Sequence, residues 1–170
     1  MQELMSGKAD IGGPFTLTDE RGTRVSLSDF RNKVVVLYFG YTFCPDVCPT
    51  DLHAIAAMLD TLGPVRDKVQ PVFITLDPDR DTPAQLASYV KSFSPQFVTL
   101  HGTESETRAV ADAYRVFYEK VRPPQSSRYA IDHTAFIYLI DQEGKYAGFF
   151  PPGTTFDRMA AVVRDVIRSD

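Results

Sequence analysis

Apolar positions follow two different periods along this chain, and the periods take turns. Phe15-Thr-Leu-Thr and Arg24-Val-Ser-Leu alternate apolar and polar, with Asp19-Glu-Arg-Gly22 between them, which predicts a β-hairpin at a sheet edge. Lys33-Val-Val-Val-Leu-Tyr-Phe39 is a nearly continuous apolar run, the mark of a strand buried on both faces. After the turn-rich stretch from Gly40 to Pro49, Leu52, Ile55, Ala56, Leu59 and Leu62 recur at helical spacing. The alternation then continues as a strand from Val69 to Leu76, a helix from Pro83 to Phe93, a strand from Phe97 to His101 and a helix from Ser105 to Phe117. Thr82 supplies an N-cap and Pro83 a first helical position. Two extended stretches, Thr134 to Ile140 and Tyr146 to Phe150, flank the turn Asp141-Gln-Glu-Gly144. Phe156 to Ile167 reads as a closing amphipathic helix that buries Met159, Val162, Val163 and Val166.

Strands and helices in this order predict an α/β fold, a central mixed β-sheet flanked by helices with an N-terminal β-hairpin. It is the order of a thioredoxin-like domain with inserts. The chain has 170 residues, 44% of them apolar, which suits one compact domain and is short for two. Residues 11–170 read as that domain and residues 1–10 as an N-terminal extension, of a protein either cytosolic or trimmed of a targeting segment. A formal charge of −4 disfavours nucleic-acid binding, which rests on neutralising phosphates. The longest apolar run, Val34 to Tyr41, falls far short of the roughly 20 residues of a membrane-spanning helix, and the first residues lack the pattern of a signal peptide.

The two cysteines stand four apart in Cys44-Pro-Asp-Val-Cys48, after a buried strand and at the start of a helix, where open α/β sheets place their ligand sites. Helical i, i+4 spacing would bring the two sulfurs to one face, about 5–6 Å apart at Cβ. That separation suits two thiolates on one metal ion, and a small adjustment would allow a disulfide. Backbone N–H groups at a helix N-terminus stabilise a thiolate, so the pair fits a redox-active or metal-transfer site. Thiol–disulfide exchange is usually served by two intervening residues, whereas three leave room for a metal. Thiolates favour soft ions such as Cu(I). An iron–sulfur cluster needs four cysteines and a structural zinc site four protein ligands, and neither set is present. Copper accepts three ligands, which leaves a place for a histidine. His53 lies about 140° around the helix from Cys48, and His101 reads as a strand-end residue. His133, in Ile131-Asp-His-Thr134 after the polar connection Arg122 to Arg128, enters a strand that passes the cysteine loop in a thioredoxin-like domain. It is the candidate third ligand; the alternative is a hydrogen-bonded loop histidine.

Gly40-Tyr-Thr-Phe-Cys-Pro-Asp-Val-Cys-Pro-Thr-Asp-Leu52 resembles the signature of the Sco/SenC family, the copper-binding assembly factors of cytochrome c oxidase. Ile11-Gly-Gly-Pro-Phe15, Leu76-Asp-Pro-Asp-Arg-Asp-Thr-Pro83 and Asp132-His-Thr134 agree with it in the same order. The resemblance implies a thioredoxin-like fold and copper, Cu(I) or Cu(II), bound by Cys44, Cys48 and His133. It also implies copper delivery to the binuclear centre of oxidase subunit II or another acceptor, or reduction of that subunit's cysteines. An upstream donor chaperone and an N-terminal membrane anchor facing the periplasm or the mitochondrial intermembrane space belong to the same picture. Asp132 would tune His133 or be a simple turn residue. Nothing in the sequence calls for an obligate oligomer, so a monomer is expected.

Other features have plainer explanations. Asp77, Asp79 and Asp81 read as a hydrogen-bonded loop leading into a helix rather than a hard-cation site, because no glutamate closes the loop. Met58 and Met159 fall on apolar helix faces and read as core. Tyr41 and Phe43 are expected to pack around the cysteines, and Phe149-Phe-Pro-Pro152 to form a buried hairpin end or a docking patch. Three functions compete: a copper metallochaperone, a thiol–disulfide oxidoreductase, and a peroxidase of the peroxiredoxin kind. The last wants a threonine three residues before its cysteine, where this chain has Tyr41, with Thr42 only two before.

Overall fold

The computed structural model describes residues 11–41, 47–79, 81–116, 118–121, 130–133, 137–151 and 153–167. A hairpin of β1 (Thr16–Asp19) and β2 (Arg24–Ser26) leads through a short 3-10 turn, Leu27–Phe30, into β3 (Val34–Gly40). Then come α1 (Val47–Leu62), a second 3-10 turn (Gly63–Lys68), β4 (Val69–Thr75), α2 (Pro83–Lys91), β5 (Val98–His101) and α3 (Glu104–Ala113). A two-stranded ribbon, β6 (Tyr118–Val121) with β7 (Ala130–His133), precedes the hairpin β8 (Ile137–Ile140) and β9 (Tyr146–Phe150), and α4 (Phe156–Val166) follows.

The main sheet has seven strands in the order β2-β1-β5-β4-β3-β8-β9. β3, β4 and β5 are parallel, and β1 and β8 pair antiparallel with β5 and β3. Every residue of β3 and β4 is buried, as the continuous apolar runs predicted. Successive side chains of β3 point to opposite faces. Tyr38 reaches α1, which packs against α4. Phe39 faces the other way, into an aromatic cluster with Tyr114 and Tyr138, and Phe15 lies edge-on to Tyr114. The mixed sheet flanked by helices, with the N-terminal hairpin joined to its edge, is the fold expected from the sequence.

Two local outcomes differ from the sequence reading. The helix expected to run from Ser105 to Phe117 stops at Ala113. Arg115 takes up a left-handed conformation (φ 58°), and the N–H groups of Arg115 and Val116 donate back to the carbonyls of Asp112 and Ala111 at 3.1 and 2.8 Å. This pair of reversed bonds closes a helix end, a job glycine usually performs. Without the glycine, the stop is invisible in the sequence. The second difference is the β6–β7 ribbon, for whose strands the sequence suggested no element; the polar connection expected from Arg122 to Arg128 lies outside the described residues. The extended stretch expected from Thr134 to Ile140 contains β8, and its residues 134–136 lie outside the described residues. The expected N-terminal extension, residues 1–10, also lies outside the described residues.

Candidate metal centre

β3 and β8 determine where the site stands. β3 leaves the sheet at Gly40, and β8 runs antiparallel to it with Ile137 opposite Tyr38. The chain entering β8 therefore arrives at the same end of the sheet from which the cysteine segment departs. Cys48 is in the first turn of α1. Cys44 and Phe43 lie outside the described residues. His133 closes β7 opposite Tyr118, and Asp132 stands opposite Glu119. Only three residues lie between His133 and Ile137, so the two are at most about 14 Å apart. Cys48 and His133, 85 positions apart in sequence, thus lie on segments that adjoin the same end of the main sheet, one after β3 and one before β8.

A buried hydrogen bond that the sequence reading missed holds α1 at that end. The phenol of Tyr38 donates to Asp51 Oδ2 at 2.8 Å, with both residues buried. Asp51 is three residues past Cys48, about 4.5 Å along the helix axis, so this bond ties the turn behind the cysteine to the central strand. Tyr38 itself was the available signal, since a phenol in a strand buried on both faces has to find a polar partner.

A second polar knot sits beside it. Thr75 pairs with Gly40 in the β3–β4 ladder, and the Leu76 N–H donates to the Gly40 carbonyl at 2.7 Å. The Thr75 hydroxyl donates to Asp81 Oδ2 at 2.6 Å and accepts from the Asp77 N–H at 3.0 Å, while the Asp81 N–H donates to the Asp77 carbonyl at 2.9 Å. Asp77 and Asp81 are 0% and 1% exposed and Asp79 is exposed, so the acidic run is a hydrogen-bonded loop leading into α2, as expected. Tyr38 and Thr75 stand two rungs apart on the same face of the sheet. Their partners Asp51 and Asp81 therefore share the α1 side of this end.

The other candidates fall into place. His53 is exposed, its ring edge-on to Phe93 with centroids 4.9 Å apart. His101 ends β5, two strands and about 10 Å from β3; partial burial lowers its pKa, with Asp19, Arg24 and Glu106 around it. Met58 and Met159 are core residues and Tyr41 is buried. Phe149 and Phe150 are buried and Pro151 exposed, which is the hairpin-end outcome. Among the described residues no group of three or more His, Cys, Asp or Glu side chains is placed to hold a metal ion, and no helix is long and apolar enough to cross a membrane.

Known proteins resemble the chain along most of its length. The SCO1/SenC family model matches residues 3–168. An SCO2-like protein of Rickettsia prowazekii is 42% identical over 86% of this chain and 72% of its own length. The mitochondrial SCO1 homolog of Homo sapiens is 38% identical over 95% of this chain, which spans only 54% of that relative. The copper-bound structure of Bradyrhizobium japonicum ScoI superposes with a TM-score of 0.83 at 42% identity, covering 92% of this chain and 99% of that one. A family match from end to end, a shared fold and this level of identity lead to one conclusion: the chain belongs to the SCO1/SenC family.

Proposed function

We propose that this protein is a copper metallochaperone that holds copper through Cys44, Cys48 and His133 and passes it to an acceptor during assembly of the binuclear copper centre of cytochrome c oxidase subunit II. What supports the proposal is that β8 starts at the end of the sheet where β3 leaves it for the cysteine segment, with Cys48 in the first turn of α1 and His133 a short stretch of chain before β8, in a chain 42% identical to a ScoI whose structure contains copper. Two thiolates and an imidazole make a soft donor set suited to Cu(I), and the same set holds Cu(II) with greater weight on the imidazole. Copper is the cargo. Loading releases the thiol protons, and transfer exchanges these ligands for the acceptor's with no change in electron count.

The N-terminal turn of α1 contributes by directing backbone N–H groups towards the cysteine end, which favours the thiolate form a metal needs. Asp132 precedes His133 in β7 and is the residue we propose to tune or balance the imidazole. Oxidation of Cys44 and Cys48 to a disulfide removes two electrons and both thiolate ligands, so redox state gates loading. The same chemistry supports the alternative activity, in which a thiolate attacks a partner's disulfide and the pair leaves as a disulfide, giving two electrons to the partner's cysteines. An upstream copper donor completes the cycle, and the domain acts as a monomer. The periplasmic face of a bacterial inner membrane or the mitochondrial intermembrane space is the setting that fits; the human relative is named as mitochondrial.

The test is Cu(I) titration of the fully reduced protein against a competing chelator. One tightly held copper per chain is expected, lost in Cys44→Ser, in Cys48→Ser and in the disulfide form, and weakened in His133→Ala. Wild-type affinity in His133→Ala would remove His133 from the ligand set. Binding no better than the Cys44→Ser control would leave a redox pair, whose reduction potential would then define a thiol–disulfide oxidoreductase.

A further inference from the structure

The β6–β7 ribbon that ends in His133 is separate from the seven-stranded sheet. Two strands alone are marginally stable in water, so the position of His133 depends on how the ribbon is fastened to the rest of the molecule. Tyr118 begins β6, is only 5% exposed and stands opposite His133 in the ladder. The guanidinium of Arg108, on α3, lies over the Tyr118 ring at 4.1 Å from its centroid. Arg108 Nη1 also reaches the Tyr118 carbonyl in a long 3.5 Å hydrogen bond. The ladder partner of His133 is therefore clasped on its ring and its backbone by one side chain from a helix.

We infer that Arg108 and Tyr118 are positioning residues that hold His133 at the copper site. The inference rests on the copper reading above. Arg108 is solvent-exposed, so replacing it opens no core, and the planar guanidinium suits a position stacked over an aromatic face. Without this clasp the ribbon keeps its own ladder but loses its fixed relation to α3. The imidazole then spends less time where the two thiolates can share a metal with it.

The experiment is a double-mutant cycle on the reduced full chain, with Cu(I) affinity from chelator competition and copper coordination from X-ray absorption. Arg108→Gln is expected to weaken Cu(I) binding roughly three- to tenfold and to reduce the nitrogen scattering. His133→Ala should weaken binding further, and Arg108→Gln/His133→Ala should be no weaker than His133→Ala alone. Arg108→Lys, which keeps a cation over the ring, and Tyr118→Phe, which keeps the ring, should each retain most of the wild-type affinity. An equal loss from Arg108→Gln in both backgrounds would show that Arg108 acts independently of His133 and would overturn the inference. So would unchanged affinity and nitrogen scattering in Arg108→Gln while His133→Ala is defective; the copper reading would survive that result. Wild-type binding in His133→Ala would overturn both together.

Discussion

Tyr38 shows what one polar atom does inside an apolar strand. Its ring packs tilted against Phe73, with centroids 5.9 Å apart, while its hydroxyl ends on the Asp51 carboxylate. Burial of a carboxylate is tolerable only when its oxygens are hydrogen-bonded. Tyr38→Phe keeps the ring and removes one donor, so it should lower the free energy of unfolding by about 1–3 kcal/mol. Denaturant melts should show this as a lower midpoint with an unchanged slope. A stability equal to wild type would mean that Asp51 does not depend on Tyr38. Polar residues of this sort were hidden from a sequence reading that classed Tyr38 with its apolar neighbours. The cysteines and His133 stood out as candidates because soft-metal donors at such spacing are uncommon; Asp51 looked like an ordinary helix residue.

Among the elements, α3 has the most completely defined start. The Thr103 hydroxyl accepts from the Glu106 N–H at 3.1 Å, and Glu106 Oε1 accepts from the Thr103 N–H at 3.0 Å. Glu106 Oε2 also takes a 2.7 Å bond from Arg24 of β2, which links the helix start to the edge hairpin and holds the Glu106 carboxyl below its ordinary pKa. Thr103→Ala should cost about 1 kcal/mol, read as a lower melting midpoint. The cap of α2 was predicted by Thr82 and Pro83, and the Gln85 N–H donates to the Thr82 hydroxyl at 3.3 Å. The end of α3 was not predicted, because Arg115 occupies the position where glycine would have announced it. Elements came out clearly wherever a long periodic run was bounded by turn residues. β6 (Tyr-Glu-Lys-Val) and β7 (Ala-Ile-Asp-His) show neither strict alternation nor a continuous apolar run, so no strand period marks them.

Across the whole molecule, the aromatic layer under β3 and β8 couples stability to alkaline pH. Burial raises the phenol pKa of Tyr114 and Tyr138 well above the ordinary value and pushes Tyr146 up to about 12. A phenol that stays neutral in the fold, while its unfolded counterpart ionises near pH 10, means that the folded state binds more protons over that interval. Stability is then fully present below about pH 10 and falls as pH rises through the higher folded-state values. Urea midpoints measured from pH 8 to pH 12 should decline above pH 10, and Tyr146→Phe should make that decline shallower. A flat profile would mean that these phenols are as accessible to ionisation folded as unfolded.

The sequence alone determined the kinds of elements, their order, the buried central strands and the cysteine pair with its candidate histidine, since each of these is written in local period or local chemistry. Tertiary structure decided the rest: which strands pair, that β8 starts at the end of the sheet where β3 leaves it, that a separate ribbon carries His133, and that Tyr38 meets Asp51. Those outcomes depend on contacts between residues far apart in the chain. Strand register follows from burying one face against a partner, and no residue records locally which partner that will be.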